Sequence, residues 1–175
     1  IVLSGNNTYT GDTSIYRCVV RANTDSAFGG VGTVTVSGGT STLIKTIANH
    51  LEIGTNVTLA NDMTLSSDLR TNATAATQTW GVITGYPGDA NTLSTATVAG
   101  DINITATPGN GGHFAAQGNV ANILRVTGAI TASVPVLIAN GIVEFGGGGS
   151  YEAATLMQGT LRPSAADGIA TDTVL

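Results

Sequence analysis

Residues 123–147 read ILRVTGAITASVPVLIANGIVEFGG, and the alternation of apolar with small or polar side chains in this stretch decides the fold class. A strand sends successive side chains to opposite faces, so a period of two buries one row and leaves the other outside. The same period recurs in VGTVTVSG at 31–38, LEIGTNVTLANDMTLSSDL at 51–69 and TVAGDINITAT at 97–107. Each segment reads as one strand or a pair of strands. Gly-Gly, Asn-Gly, Gly-Asn and Asn-Asp separate them, which are turn signals rather than helical connections.

Composition agrees with this reading. Only 10% of the 175 residues are charged and 5% aromatic, while Gly reaches 24. Thr, Val, Ile, Ala, Gly and Asn favour strands joined by tight turns, and little is present to fill the outer face of a helix. The hydrophobic fraction of 42% separates the chain from disordered sequences. A sandwich and a solenoid both satisfy the alternation, but stacked coils favour ladders of Thr, Val and Asn along successive rungs.

An internal comparison favours the solenoid. IVLSGNNTYTGDTSIYRCVVRANTD from Ile1 aligns without gaps on VEFGGGGSYEAATLMQGTLRPSAAD from Val143. Gly5 then meets Gly147, Tyr9 meets Tyr151, Thr13 meets Thr155 and Asp25 meets Asp167. Ile1, Leu3, Ile15 and Val19 fall opposite Val143, Phe145, Met157 and Leu161.

The stretch LSGNNTYTGDTSI at 3–15 resembles the autotransporter-associated β-strand repeat, also called the passenger-associated transport repeat: an apolar strand, Ser-Gly-x-Asn-Thr-Tyr-Thr-Gly-x-Thr, then a second strand around Gly-Thr-Leu. The motif residues are Gly5, Asn7, Thr8, Tyr9, Gly11 and Thr13. A diverged second copy keeps Gly147, Tyr151, Thr155, Gly159 and Leu161. The resemblance implies one right-handed parallel β-solenoid (β-helix) over residues 1–175, with irregular loops and little helix. Its motif copies lie at 1–33 and 143–175. The resemblance also implies an exported bacterial module at the cell surface: a fibre, stalk or passenger segment. At about 4.8 Å per rung and roughly 20–25 residues per coil, about seven or eight coils would span on the order of 35 Å.

Charge and motif content narrow the function further. Six basic against eleven acidic residues give a net charge of −5, which disfavours nucleic acid. No apolar run is long enough to span a bilayer in this segment. Cys18 stands alone, so no internal disulfide forms. His50 and His113 lack metal-ligand spacing with it, and no calcium loop is present, so no metal or cofactor is expected. An enzyme acting on polysaccharides through this fold needs paired acids. Asp12, Asp62, Asp68, Asp89 and Asp101, with Arg70 and Arg125, are scattered, so no catalytic residue is assigned and an enzyme is not expected.

The segment 71–95 breaks the alternation and reads as a loop leaving the wall. Trp80, Tyr86 and Asp89 there are the candidates for a surface glycan, which gives the alternative of a carbohydrate-binding adhesin. GNGGHFAAQGN at 109–119 is a second irregular stretch, and Asn6, Asn56, Asn72 and Asn103 head Asn-x-Ser/Thr sequons. Ile1, Leu3, Val19, Val143, Phe145 and Leu161 are expected to point inward, which turns Cys18 outward. The expected partners are neighbouring copies of the chain, or adjacent repeats of a longer polypeptide, stacked head to tail.

Overall fold

The structure is a computed structural model that describes residues 1–16, 18–38, 50–67, 82–85, 93–105, 112–116, 121–151, 154–156 and 159–163. The described residues contain strands and turns and no helix, so none is long and apolar enough to cross a membrane. Their strands fall into seven coils. The first coil holds β1 (Val2–Leu3) and β2 (Thr13–Tyr16), and the second β3 (Val19–Ala22) and β4 (Val34–Gly38). Next come β5 (His50–Ile53), β6 (Thr58–Leu59) and β7 (Met63–Ser67). The fourth coil has β8 (Val82–Gly85), β9 (Thr95–Val98) and β10 (Ile102–Ile104). The fifth has β11 (Gly112–Ala116), β12 (Ile123–Val126) and β13 (Ile130–Ala132). Then follow β14 (Val136–Phe145) and β15 (Gly149–Ser150), and finally β16 (Ala154–Leu156) and β17 (Gly159–Pro163).

Each strand pairs in parallel with the equivalent strand one coil away, which makes the chain an all-β parallel solenoid with three sheets. Sheet 1 runs β1-β3-β5-β8-β11-β14-β16, sheet 2 runs β6-β9-β12-β14-β17, and sheet 3 runs β2-β4-β7-β10-β13-β15. Sheets 1 and 2 share β14, whose first half pairs with β11 and whose second half pairs with β12. The change of direction falls at Gly141, where φ is +66° and a Cβ would sit 2.2 Å from the Ala116 carbonyl oxygen. Only glycine meets both conditions.

Inward side chains stack in columns along the axis. Leu59, Val98, Val126 and Phe145 line sheet 2, and Val34, Met63, Ile102 and Ile130 line sheet 3. All are buried. Each such side chain contributes about 1.5–3 kcal/mol by leaving water. Phe114 of sheet 1 meets Phe145 edge to face at 5.5 Å, and Phe145 meets Tyr151 at 6.2 Å, so one aromatic cluster ties the three walls together.

Several expectations need correction. The two terminal segments are not equivalent parts of a coil: Leu3 lies in sheet 1 and Phe145 in sheet 2, while Thr13 lies in sheet 3 and Thr155 in sheet 1. Tyr9 is 41% exposed between β1 and β2, whereas Tyr151 is 7% exposed inside. Val143 and Phe145 are buried, and Leu3 and Leu161 pack partly buried against the core. Val19 is half-buried on the outward side of β3, because Val20 and Ala22 take the inward positions, opposite Leu51 and Ile53. Ile1 precedes the Val2–Arg21 pair, which places it beside Val20, but no described coil covers it and it is 73% exposed.

The parity of β3 also brings Cys18 against the core, half-buried, instead of outward. Native thiol labelling should therefore run slower than labelling of the unfolded chain, and equal rates would contradict this placement. Two stretches read as irregular contain strands. Val82–Gly85 inside 71–95 forms β8, and Gly112–Ala116 inside 109–119 forms β11, with Phe114 and Ala116 buried. Trp80, Tyr86 and Asp89 lie outside the described residues.

Candidate functional site

The third sheet begins each time at a corner with a recurring local sequence: GDTSI at 11–15, GTVTV at 32–36, NDMTL at 61–65, GDINI at 100–104, GAITA at 128–132 and GGGSY at 147–151. The first residues of these segments stack on one another. A Cβ on Gly100 would lie 2.1 Å from the Asn61 carbonyl oxygen, and one on Gly128 would lie 2.0 Å from that of Gly100. Backbone meets backbone there, so no rotamer change relieves the contact. Asn61 departs from glycine by turning its side chain inward, where Nδ2 donates to the Gly32 carbonyl at 3.1 Å.

The second residue of each segment explains the aspartates. The Met63 N–H donates to the Asp101 carbonyl and the Ile102 N–H to the Ala129 carbonyl, each at 2.8 Å, as a parallel ladder requires. The N–H of the corner residue itself needs another acceptor. The preceding coil supplies a carboxylate: Asp12 Oδ1 accepts from Thr33 at 2.8 Å, and Asp62 Oδ1 from Asp101 and Asp101 Oδ1 from Ala129, both at 2.9 Å. Asp25 serves Thr58 in the same way at the start of β6, at 2.8 Å. Asp101→Ala should therefore lose about 1 kcal/mol while Asp101→Asn loses less, since an amide oxygen still accepts. Urea unfolding of both variants checks this, and equal losses would contradict it.

Outward from these corners, sheet 3 carries a column of polar side chains in register: Ser14, Thr35, Thr64, Asn103, Thr131 and Ser150. Beside it runs Tyr16, Ser37 and Ser66. Between β4 and β13 the face sinks into an open hollow of about 340 Å³, walled by Thr33, Asp62, Thr64, Asp101, Asn103 and Thr131 over Met63 and Ile102. It offers hydroxyls, an amide and two carboxylates. Among the described residues, no three His, Cys, Asp or Glu side chains converge to hold a metal ion.

The outer faces of the other sheets carry ion pairs across coils. Arg21 Nη2 lies 2.7 Å from Glu52 Oε2 on sheet 1. On sheet 2, Glu144 sits between Arg125 and Arg162 at 2.8 Å each, with 5% of its side chain exposed.

The motif residues serve the turns and walls. The Gly5 carbonyl accepts from Thr24 Oγ1 at 3.0 Å, and Asn7 Nδ2 donates to the Ala27 carbonyl at 2.8 Å. The Tyr9 hydroxyl and Thr13 Oγ1 share a hydrogen bond of 2.8 Å, and Thr8 is exposed beside them. Gly11 heads the glycine column that Gly147 also joins. Thr155 pairs with Leu137, Gly159 with Gly141 and Leu161 with Val143. The polar column of sheet 3 escapes a search for a fixed period because its coils differ in length. Thr33 follows Asp12 by 21 residues, Asp101 follows Asp62 by 39, and Ala129 follows Asp101 by 28. Aligning the six corner segments themselves would have found it. No protein-family model, curated protein or solved structure matches the chain.

Proposed function

We propose that the chain is a structural module of an extracellular or cell-surface fibre or stalk, comparable to an autotransporter-like passenger segment, and that it lengthens by stacking coil on coil. The observation that carries this reading is the coil-on-coil build: each strand pairs in parallel with the equivalent strand of the next coil, and the inward side chains stack in continuous columns along the axis. Among the described residues β1 pairs with β3 alone, and Ile1 and Val2 are exposed beside it. An unpaired apolar strand edge is a template for another strand. Few charges oppose its coverage, and the corner column offers a matching place: a Cβ on Gly11 meets nothing within 4 Å, whereas the glycines further along are closed by the preceding coil.

The natural occupant is the last coil of a second copy, or the adjoining coil of the same polypeptide, which gives an open head-to-tail series. Light scattering after size-exclusion chromatography tests the first case. Assemblies should grow with protein concentration, and Gly11→Ala should weaken them without lowering the thermal midpoint of the single copy, because its methyl group would strike the carbonyl of the incoming coil. A wild type that stays single at every concentration, or an assembly indifferent to Gly11→Ala, would contradict head-to-tail stacking of separate copies.

A further inference from the structure

We propose that the outer face of sheet 3 binds an extended, unbranched, neutral polysaccharide laid parallel to the solenoid axis. This inference does not depend on end-to-end stacking. Ser14, Thr35, Thr64, Asn103, Thr131 and Ser150 present one donor-and-acceptor side chain per coil, in register, at a spacing of about 4.8 Å. A sugar chain repeats its hydroxyls on a similar scale, so a linear polymer can meet successive coils with successive units.

The hollow between β4 and β13 adds the fixed acceptors. Asp62 and Asp101 each use Oδ1 to hold the backbone of the next coil at 2.9 Å. That bond orients the carboxylate before any ligand arrives and leaves Oδ2 as an acceptor for a hydroxyl pair. Acceptors held in place reduce the ordering lost on binding. The hollow, of about 340 Å³, is shallow and open to solvent, and it adjoins the polar column at Thr64, Asn103 and Thr131. At the far end of β2, Tyr16 is 51% exposed on the same outward side, where a ring can lie against the C–H face of a sugar.

The same inventory argues against other ligands. Among the described residues no cationic side chain lines the hollow, and its two carboxylates repel phosphates, sulfates and uronates. The outward column holds no aliphatic side chain for a lipid or an apolar helix. The strands beneath are paired on both sides from β4 to β13, so an added peptide strand finds no edge there.

Affinity electrophoresis of the intact chain tests the proposal, in gels cast with mixed-linkage β-glucan, xylan, soluble α-glucan or polygalacturonate. At least one neutral polymer should retard the protein and polygalacturonate should not. The triple variant Thr64→Val, Asn103→Val, Thr131→Val keeps strand-forming side chains while removing the polar groups, and should weaken retention about tenfold or more. Thr97→Val, on the outward side of sheet 2, should leave it unchanged. If circular dichroism shows the triple variant unfolded, the Asp62→Asn, Asp101→Asn pair takes its place, because the amide oxygens still serve the backbone; retention should then fall severalfold. Absence of retention by every neutral polymer, retention unchanged in the folded polar-face variant, or an equal loss from Thr97→Val would overturn the proposal.

Discussion

Gly128→Ala should destabilise the solenoid by about 3 kcal/mol, although it adds only one methyl group. The added carbon would lie 2.0 Å from the Gly100 carbonyl oxygen, 2.4 Å from its carbonyl carbon and 2.9 Å from the Asp101 nitrogen. All three atoms belong to backbone held by hydrogen bonds between coils: the Ile102 N–H donates to the Ala129 carbonyl, the Asp101 N–H to Asp62 Oδ1 and the Ala129 N–H to Asp101 Oδ1. Relief therefore requires the two coils to separate locally, which breaks the bonds of Ala129 and opens the contact of Ile102 with Ile130. Gly5→Ala is the matched control, since nothing lies within 4 Å of its Cβ. It should change stability by no more than about 0.5 kcal/mol. Urea midpoints for the two variants should differ accordingly, and equal midpoints would remove the steric argument for the corner column.

Phe145→Ala should cost about 4 kcal/mol. The ring is 1% exposed and sits edge to face with Phe114 at 5.5 Å and with Tyr151 at 6.2 Å. Those partners come from sheet 1 and from the residue just after β15, so truncation empties the place where the three walls meet. Its column neighbours Val126 and Pro163 are held by ladders and cannot collapse into the space. Because each coil contacts chiefly its neighbours, the loss should be local, and β14 to β17 should unfold before the rest. Hydrogen exchange should show lost protection in those strands first. A uniform loss over all coils would mean that the solenoid unfolds as one cooperative unit.

The outward parity of β3 shows how far sequence reading reached. Alternation alone identifies strands such as Ile102–Ile104 and Ile123–Val126, because inward Ile102 and Ile104 flank Asn103, and inward Leu124 and Val126 flank Arg125. In YRCVVRA the alternation is ambiguous: Val19 and Val20 are equally apolar, and only pairing with Leu51 and Ile53 selects Val20 and Ala22 as the inward pair. Gly112–Ala116 hides its strand differently, since its flanks are glycine-rich and Ala115 carries no polar signal between Phe114 and Ala116. The gapless alignment of the terminal segments failed because short and long coils place the same residue spacing on different walls.

The candidate site was less legible than the fold. Its aspartates are far apart in sequence, and coils of unequal length bring Asp62 and Asp101 to adjacent corners. Read one by one they are isolated acids; stacked, they are acceptors for the backbone. The polar column likewise draws one residue from each of the first six coils, so no short segment contains more than one of its members.

The central claim is that these coils stack beyond a single copy to form a fibre. Electron microscopy of the concentrated protein, with diffraction from aligned material, tests it most directly. The account predicts unbranched filaments one solenoid wide, with a meridional spacing of about 4.8 Å between coils and an axial repeat on the order of 35 Å from one copy to the next. Discrete single particles at every concentration, with no axial order, would contradict it.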